Sequence, residues 1–239
     1  MISVIVPTMW VHEPFLNFIG NITQLNCVGE IVIINNYVQD TPDHDSLKHP
    51  KIKMHNMHRN IFVNPAWNLG ASLSQYENLC FLSDDVMVDL KVFLEADKFV
   101  SKEIGVLGFG YHPSLMKFQR YGIIPDNLDV LKVTGDIKIL EEKWNGITEM
   151  DGNGGLFFIH KDNYIPIPED FLISGGDVWT YECQRILGRK NYYINKCFFY
   201  SQWGVTTNSK KVDTSYGDFT KENRENYLQH IEQFKSKIR

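Results

Sequence analysis

The sequence predicts an α/β fold built round a mostly parallel central sheet. Three observations carry that expectation. Short apolar runs rich in β-branched residues recur through the first half of the chain. Each is separated from the next by a segment whose apolar residues fall at helical spacing, and alternation of this kind favours parallel strands with right-handed crossovers. The run Cys80-Phe81-Leu82 ends abruptly in Ser83-Asp84-Asp85, and the carboxyl ends of strands are where open α/β sheets bind ligands.

Taken in order, Ile2 to Val6 reads as a first strand, stopped by Pro7-Thr8. Glu13-Pro14 opens a helix carrying Phe15, Ile19 and Ile22, proline being well suited to a first helical turn. Ile31 to Ile34 is a second buried strand ending at Asn35-Asn36, and Ile52 to Met54 a short third. Asn64-Pro65 opens a helix with Trp67, Leu69, Ala71 and Leu73 on its apolar side, and Trp67 reads as core. After the strand that ends at Asp84-Asp85 come a helix past residue 90 and a strand from Ile104 to Phe109. Residues 110 to 150 break the rhythm, with alternating stretches such as Lys132 to Ile139 that suggest hairpins. Leu156 to Ile159, a helix from about Gly176 to Leu187, a single late strand from Tyr192 to Tyr200 and an amphipathic helix from Phe219 to Ile238 complete the expectation.

Composition narrows the function classes. The chain has 239 residues with 43% hydrophobic content, ordinary for a globular protein. No segment approaches the apolar length of a membrane span and no basic leader precedes the first strand, so a cytoplasmic protein is expected. Cys27, Cys80, Cys183 and Cys197 are far apart and lack metal-ligand spacing, which reads as buried reduced thiols. A net charge of -5 gives no general attraction to a polyanion. The strongest basic stretch, Lys210 to Arg239, holds seven Lys and Arg against five Asp and Glu.

Two adjacent anionic donors make a poor core and a good seat for a hard divalent cation, which usually keeps bonds to substrate phosphates. Asp84 or Asp85 could instead begin the next helix, but Asp89 is better placed as its cap. Asp177 follows Ser174-Gly175-Gly176 at the start of a helix, where a cap and a catalytic carboxylate are equally compatible readings. Gly152, Gly154 and Gly155 let a ligand approach the backbone or simply form a turn. Trp179 and Trp203 stand beside glycines and polar residues as stacking candidates, although packing explains them too. His55 and His58 fall on different faces and read as structural or surface residues.

The order and spacing of Ile2-Ser3-Val4-Ile5-Val6-Pro7-Thr8, Glu30-Ile31-Val32-Ile33-Ile34-Asn35-Asn36, Asn64-Pro65-Ala66-Trp67-Asn68-Leu69-Gly70 and Ser83-Asp84-Asp85 resemble the GT-A glycosyltransferases, most of all the family 2 type. Gly152-Asn153-Gly154-Gly155-Leu156-Phe157-Phe158 resembles that family's acceptor-side loop, and Gly176-Asp177-Val178-Trp179 the start of its catalytic helix. The likeness covers about residues 1 to 200. It implies a GT-A type, Rossmann-like nucleotide-binding sandwich over residues 1–205, with a nucleotide-sugar half at 1–109, an irregular acceptor-side half at 110–205 and a C-terminal extension at 206–239.

The resemblance implies that Pro7, Thr8, Asn35 and Asn36 touch the nucleotide and that Arg59 or Asn60 reaches the base or ribose. Asp84 would contact ribose or sugar, Asp85 would hold Mn²⁺ or Mg²⁺ on the diphosphate, and Asp177 would be the general base, with Glu182 in reserve. Gly154, Gly155 and Trp179 fall on the acceptor side. The chain departs from the family in carrying Asn35-Asn36 where many relatives have an acidic residue, and in lacking a histidine at Ser201-Gln202-Trp203-Gly204. The expected activity is inverting, metal-dependent transfer from a UDP-sugar to a saccharide hydroxyl. Alternatives are a viral enzyme acting on hydroxymethylated DNA bases, with Lys210 and Lys211 in contact with the DNA, and a non-catalytic nucleotide- or glycan-binding module. Sugar nucleotidylyltransferases fit less well, because Pro7-Thr8-Met9-Trp10 stands where their glycine-rich phosphate loop would be.

Overall fold

In the computed structural model, residues 1–111, 136–140, 155–197, 199–201 and 219–238 are described. Strand β1 (Ile2–Thr8) is flanked by β2 (Val28–Asn35) and β4 (Asn78–Leu82), and β3 (Ile52–Asn56) lies outside β2. Beyond β4 come β8 (Leu156–His160), β6 (Val106–Tyr111), β9 (Tyr192–Cys197) and the edge strand β7 (Ile137–Ile139), giving the order β3-β2-β1-β4-β8-β6-β9-β7. The pairings make β3, β2, β1, β4, β6 and β9 share one direction, while β8 and β7 run against them. The sheet is therefore mostly parallel, as expected. The strand near residue 106 is not β4's neighbour, because β8 returns between them.

Helices cover both faces, and the alternation of side chains along each strand assigns them. Ile2, Val4 and Val6 of β1 and Cys80 and Leu82 of β4 point to the layer of α1 (Pro14–Thr23) and α3 (Lys91–Phe99), where Phe15, Ile19, Val92 and Phe93 close the core. Ile5, Leu79 and Phe81 point the other way, to α2 (Val63–Leu73), α4 (Gly176–Ile186) and α5 (Phe219–Ile238) through Trp67, Trp179, Tyr181, Tyr227 and Ile231. Phe81 stacks on Phe157 at 4.7 Å between ring centres, and Trp67 meets both edge-on. Cys27, Cys80 and Cys183 are buried free thiols.

Two local findings bear on the site. Asp89 Oδ1 accepts the N–H of Lys91 at 2.9 Å just before α3, whose N-cap position is Leu90, so Asp84 and Asp85 do not begin that helix. The late strand expected from Tyr192 to Tyr200 divides in two. Its first part, β9, stays in the main sheet, whereas β10 (Phe199–Ser201) pairs antiparallel with β5 (Val86–Val88), opposing Ser201 to Val86. This small second sheet fastens the chain just after Asp85.

Of the irregular segment expected between 110 and 150, residues 137–139 form β7, antiparallel to β9; most of the rest, like Gly154, Trp203, Lys210 and Lys211, lies outside the described residues. Among the described residues no helix is long and apolar enough to cross a membrane. Helix α2 packs so closely on β1 that a Cβ at Gly70 would overlap the side chain of Ile5. Gly70→Ala is expected to destabilise the fold by ~1–3 kcal/mol through overpacking, read as a lower thermal midpoint; an unchanged midpoint would mean that α2 can slide away from β1.

Candidate nucleotide-binding site

The chain leaves β1 towards β2 and β3 on one side of the sheet, and β4 pairs on the other, so the strand order reverses between β1 and β4. A crevice opens at the carboxyl ends of strands at such a point. Here it is a cleft of about 240 Å³ walled by Pro7, Thr8 and Met9 after β1, Asn36 after β2, Asn60, Phe62 and Val63 at the start of α2, Ser83, Asp84 and Asp85 after β4, and Ile173 from the segment before α4.

Asp84 is 8% exposed. The Thr8 hydroxyl donates to its Oδ2 at 2.6 Å, the Met9 backbone N–H also bonds it, and His12 lies buried beside it. Burial nevertheless dominates and holds its pKa above the usual carboxylate range. Asp85 is pushed up to about 6, first by burial and then by the neighbouring charge of Asp84. The Ser201 hydroxyl lies 3.4 Å from Asp85 Oδ2, at the limit of hydrogen-bonding range. No single strand brings these groups together. Thr8 comes from β1, the carboxylates from the end of β4, and Ser201 from the second sheet.

The amides divide into two kinds. Asn35 is fully buried, and its side chain is saturated: Oδ1 accepts from Trp10 Nε1 at 2.8 Å and from the Tyr37 N–H at 3.1 Å, while Nδ2 donates to Thr41 Oγ1 at 2.7 Å and Asn56 Oδ1 at 2.9 Å. It is a hub that ties the loops after β1, β2 and β3 together, not a wall of the cleft, and the expectation of a nucleotide contact from its side chain is corrected accordingly. Asn36 and Asn60 do line the cleft. Their Oδ1 atoms accept the N–H groups of Ile61 at 3.2 Å and Phe62 at 2.8 Å, and Asn60 Nδ2 donates to Met9 Sδ at 3.7 Å. Arg59 stands exposed and outside the cleft wall.

Two bulky residues hold left-handed backbone at the cleft's rim: Trp10 at φ 56° and Phe62 at φ 67°. Such conformations are costly for non-glycine residues and persist where surrounding bonds over-determine them. For Trp10 those bonds are visible. Its N–H donates to Thr8 Oγ1 at 3.0 Å and its indole N–H to Asn35. A continuous chain of hydrogen bonds therefore runs from the Asn35 hub through Trp10 and Thr8 to Asp84.

On the acceptor side, the Ser83 N–H donates to Gly155 O at 2.9 Å, so the start of β8 abuts the acidic turn. Asp177 lies half-buried in the first turn of α4, and Ile173, four residues earlier, reaches the cleft. Trp179 is 5% exposed, donates its indole N–H to Pro166 O at 3.1 Å and packs edge-on to Phe171 and Phe234. It is core, and its ring is not offered to a sugar. Glu182 is buried and bonded by the guanidinium of Arg185, whose Nε lies at 2.8 Å, so the reserve carboxylate is committed to an ion pair.

Met9, His12, Phe62, Val63, Ile173 and Ser201 belong to the site or its immediate support, and the sequence alone did not single them out. The proximity of Met9 to Pro7-Thr8 offered one signal, and the place of Ser201 where the resembled family carries a histidine offered another. Among the described residues no group of three or more His, Cys, Asp or Glu side chains could hold a metal. What the cleft does offer is two carboxylates with a hydroxyl alongside, oxygen donors that suit a hard cation completing its shell with water and phosphate oxygens. No lysine or arginine stands among the described residues of its wall. Among the described side chains of the wall a diphosphate would meet only like charge unless a cation lay between.

No protein-family model and no curated protein matches this chain by sequence. Its shape does find counterparts. Residues 1–349 of S. aureus TarS superpose with a TM-score of 0.54 at 13% identity, covering 91% of this chain and 68% of that one. The same TarS segment in complex with UDP gives 0.56 at 14%, covering 84% and 60%. The mannosyltransferase PcManGT from Pyrobaculum calidifontis, in complex with GDP-Man and Mn²⁺, gives 0.53 at 13%, covering 80% and 53%. This chain thus spans between about half and two thirds of the length of those structures. With its mostly parallel sheet, its cleft at the β1/β4 switch and these counterparts, the chain has a GT-A-like glycosyltransferase fold.

Proposed function

We propose that the protein is a metal-dependent, inverting glycosyltransferase that moves a sugar from a nucleoside-diphosphate sugar, a UDP-sugar first among candidates, to a saccharide hydroxyl. The observation that carries this reading is the pair Asp84-Asp85 in a cleft at the sheet's switch point with no cationic side chain among its described walls. The counterparts include one holding UDP and one holding GDP-Man with Mn²⁺, which is the ligand chemistry such a cleft would serve.

Roles follow from chemistry. Asp85, assisted by Ser201, would hold Mn²⁺ or Mg²⁺, which when bound supplies charge neutralisation for the departing diphosphate. Asp84, fixed by Thr8 and the Met9 N–H, presents its carboxylate edge to a ribose or sugar hydroxyl. Pro7, Thr8, Asn36 and Asn60 shape the nucleotide end. Phe62, Val63 and Ile173 exclude water from the middle of the cleft. Asp177 accepts the proton of the acceptor hydroxyl as the new bond forms, an effect worth ~10²–10⁴-fold in rate.

The deciding experiment is a thermal-shift panel of UDP, GDP, CDP and dTDP with and without Mn²⁺, because a ligand that binds only the folded state raises the melting temperature. A metal-dependent rise for one of them is expected. No rise for any would remove the nucleotide site.

Asp85→Asn should abolish the metal-dependent rise. The same variant also has an expected pH signature without ligand. Because folding raises the Asp85 pKa from 3.8 to about 6, its contribution to stability is full below 3.8 and is lost progressively between 3.8 and about 6. Across that window the loss is of order 3 kcal/mol at about 1.36 kcal/mol per unit. Ligand-free wild type should therefore melt lower at about pH 7 than at about pH 4, and Asp85→Asn should flatten that difference; an unchanged pH profile would deny the carboxylate its buried, charged state.

Asp177→Asn is expected to keep nucleotide binding and lower turnover at least ~10²-fold. Nucleoside diphosphate released from the sugar nucleotide measures it. Near-normal release would assign the base elsewhere, and nucleotide binding without any turnover in the wild type would favour a binding module.

A further inference from the structure

Helix α2 touches the cleft and the approach to α4 within three residues. Phe62 and Val63 are cleft walls, and the next residue, Asn64, is fully buried against the segment that leads to Asp177. The Asn64 backbone N–H donates to Leu172 O at 3.2 Å and its Nδ2 to Ser174 O at 3.2 Å. Its Oδ1 has no hydrogen-bond partner and lies against Gly176, where a Cβ would overlap it. Gly175, at φ 82°, precedes α4 and has no side chain with which to cap it.

One turn further along, Asn68 holds the same segment nearer its start. Its Nδ2 donates to Ile167 O at 2.8 Å, and its Oδ1 accepts from the Ile167 N–H at 2.9 Å and the Tyr164 hydroxyl at 2.7 Å. Residues four apart share a helix face, so one side of α2 pins residues 164–176 at two points. Both polar side-chain atoms of Asn68 are bonded. Those of Asn64 are not, and a buried acceptor left idle calls for an explanation beyond packing. Its place against Gly176, the first residue of α4, provides one.

We propose that Asn64 is a positioning residue that transmits occupancy of the cleft to the start of α4 and thereby fixes Asp177 for proton transfer. A nucleotide diphosphate seated against Phe62 and Val63 bears on the entry to α2, where Phe62 holds φ 67°, and through it on Asn64, whose Oδ1 lies against Gly176 at the start of α4. The inference rests on the proposed function of the cleft and of Asp177.

Hydrogen exchange of the full chain, with and without UDP and Mn²⁺ and in parallel with GDP and Mn²⁺, tests it; thermal shift reports binding, and UDP release from UDP-glucose or GDP release from GDP-mannose reports turnover. In the wild type the bound nucleotide should slow exchange over residues 174–180 at least ~5-fold, since protection follows local opening. In Asn64→Ala the nucleotide-induced rise in melting temperature and the donor KM should persist, the slowing should fall below ~2-fold, and kcat should drop at least ~10-fold, the scale of a slightly misplaced catalytic group. Gly176→Ala, whose Cβ displaces the same amide, should reproduce this with Asn64 in place, and the double variant should be no worse than the poorer single one, as coupled sites behave. Gly176→Ala carries the test alone if Asn64→Ala does not fold.

Full protection and turnover in both variants, with Asp177→Asn inactive, would overturn the positioning role and leave the proposed function standing. Near-normal turnover of Asp177→Asn would overturn the base assignment and this inference with it. Absence of any nucleotide-induced shift in the wild type would overturn the reading of the cleft itself.

Discussion

The hydrogen bond from Thr8 to Asp84 spans the point where the sheet reverses its order, and the site is organised round it. A carboxylate buried to this depth is costly unless its lone pairs are engaged. Thr8 and the Met9 N–H engage them from β1, while the chain direction of β4 delivers the acid. The two strands are paired in register from Ile2 to Ile5, so the donor and acceptor meet because the sheet leaves them nowhere else to go.

The same economy of position explains the strained aromatic residues. Trp10 takes left-handed backbone because its N–H is bound to Thr8 and its indole to Asn35, and Asn35 in turn joins the loops beyond β2 and β3. The end of the cleft formed by the loops after β1 and β2 is thus preset by a polar network whose members are mostly fully bonded. Preset geometry of this kind limits reorganisation when charge develops. The other end is set differently. There Ile173, Asn64, Gly175 and Gly176 make a joint with little polar redundancy, between the cleft and the helix carrying Asp177.

Asp85 occupies the middle ground between these ends. Its elevated pKa expresses a charge that the fold alone does not compensate, since the Ser201 hydroxyl is distant and no lysine or arginine is among the described walls. Two adjacent carboxylates held in such surroundings are the ground on which the proposed cation site rests. The small β5–β10 sheet matters for this reason, because it brings Ser201 to the carboxylate and holds the turn that follows it.

Much was legible in the chain itself. Apolar runs buried on both faces, the Pro14 helix start, and two carboxylates closing a buried strand determined a mostly parallel α/β sheet and pointed to the end of β4 as the place of the cleft, because these depend on short-range periodicity and on the cost of burying charge. Tertiary structure decided the rest. Asn35 and Asn36 are adjacent and chemically identical, yet one is a saturated hub and the other a cleft wall, since successive strand-end residues face opposite ways. Trp179 and Glu182 looked available beside glycines and polar neighbours, and the packing of α4 against α5 and the Arg185 ion pair committed them. Ser201 lies 116 residues from Asp85 and Ser174 110 from Asn64, and no local pattern in a single sequence reports which distant backbone a folded sheet brings within hydrogen-bonding range.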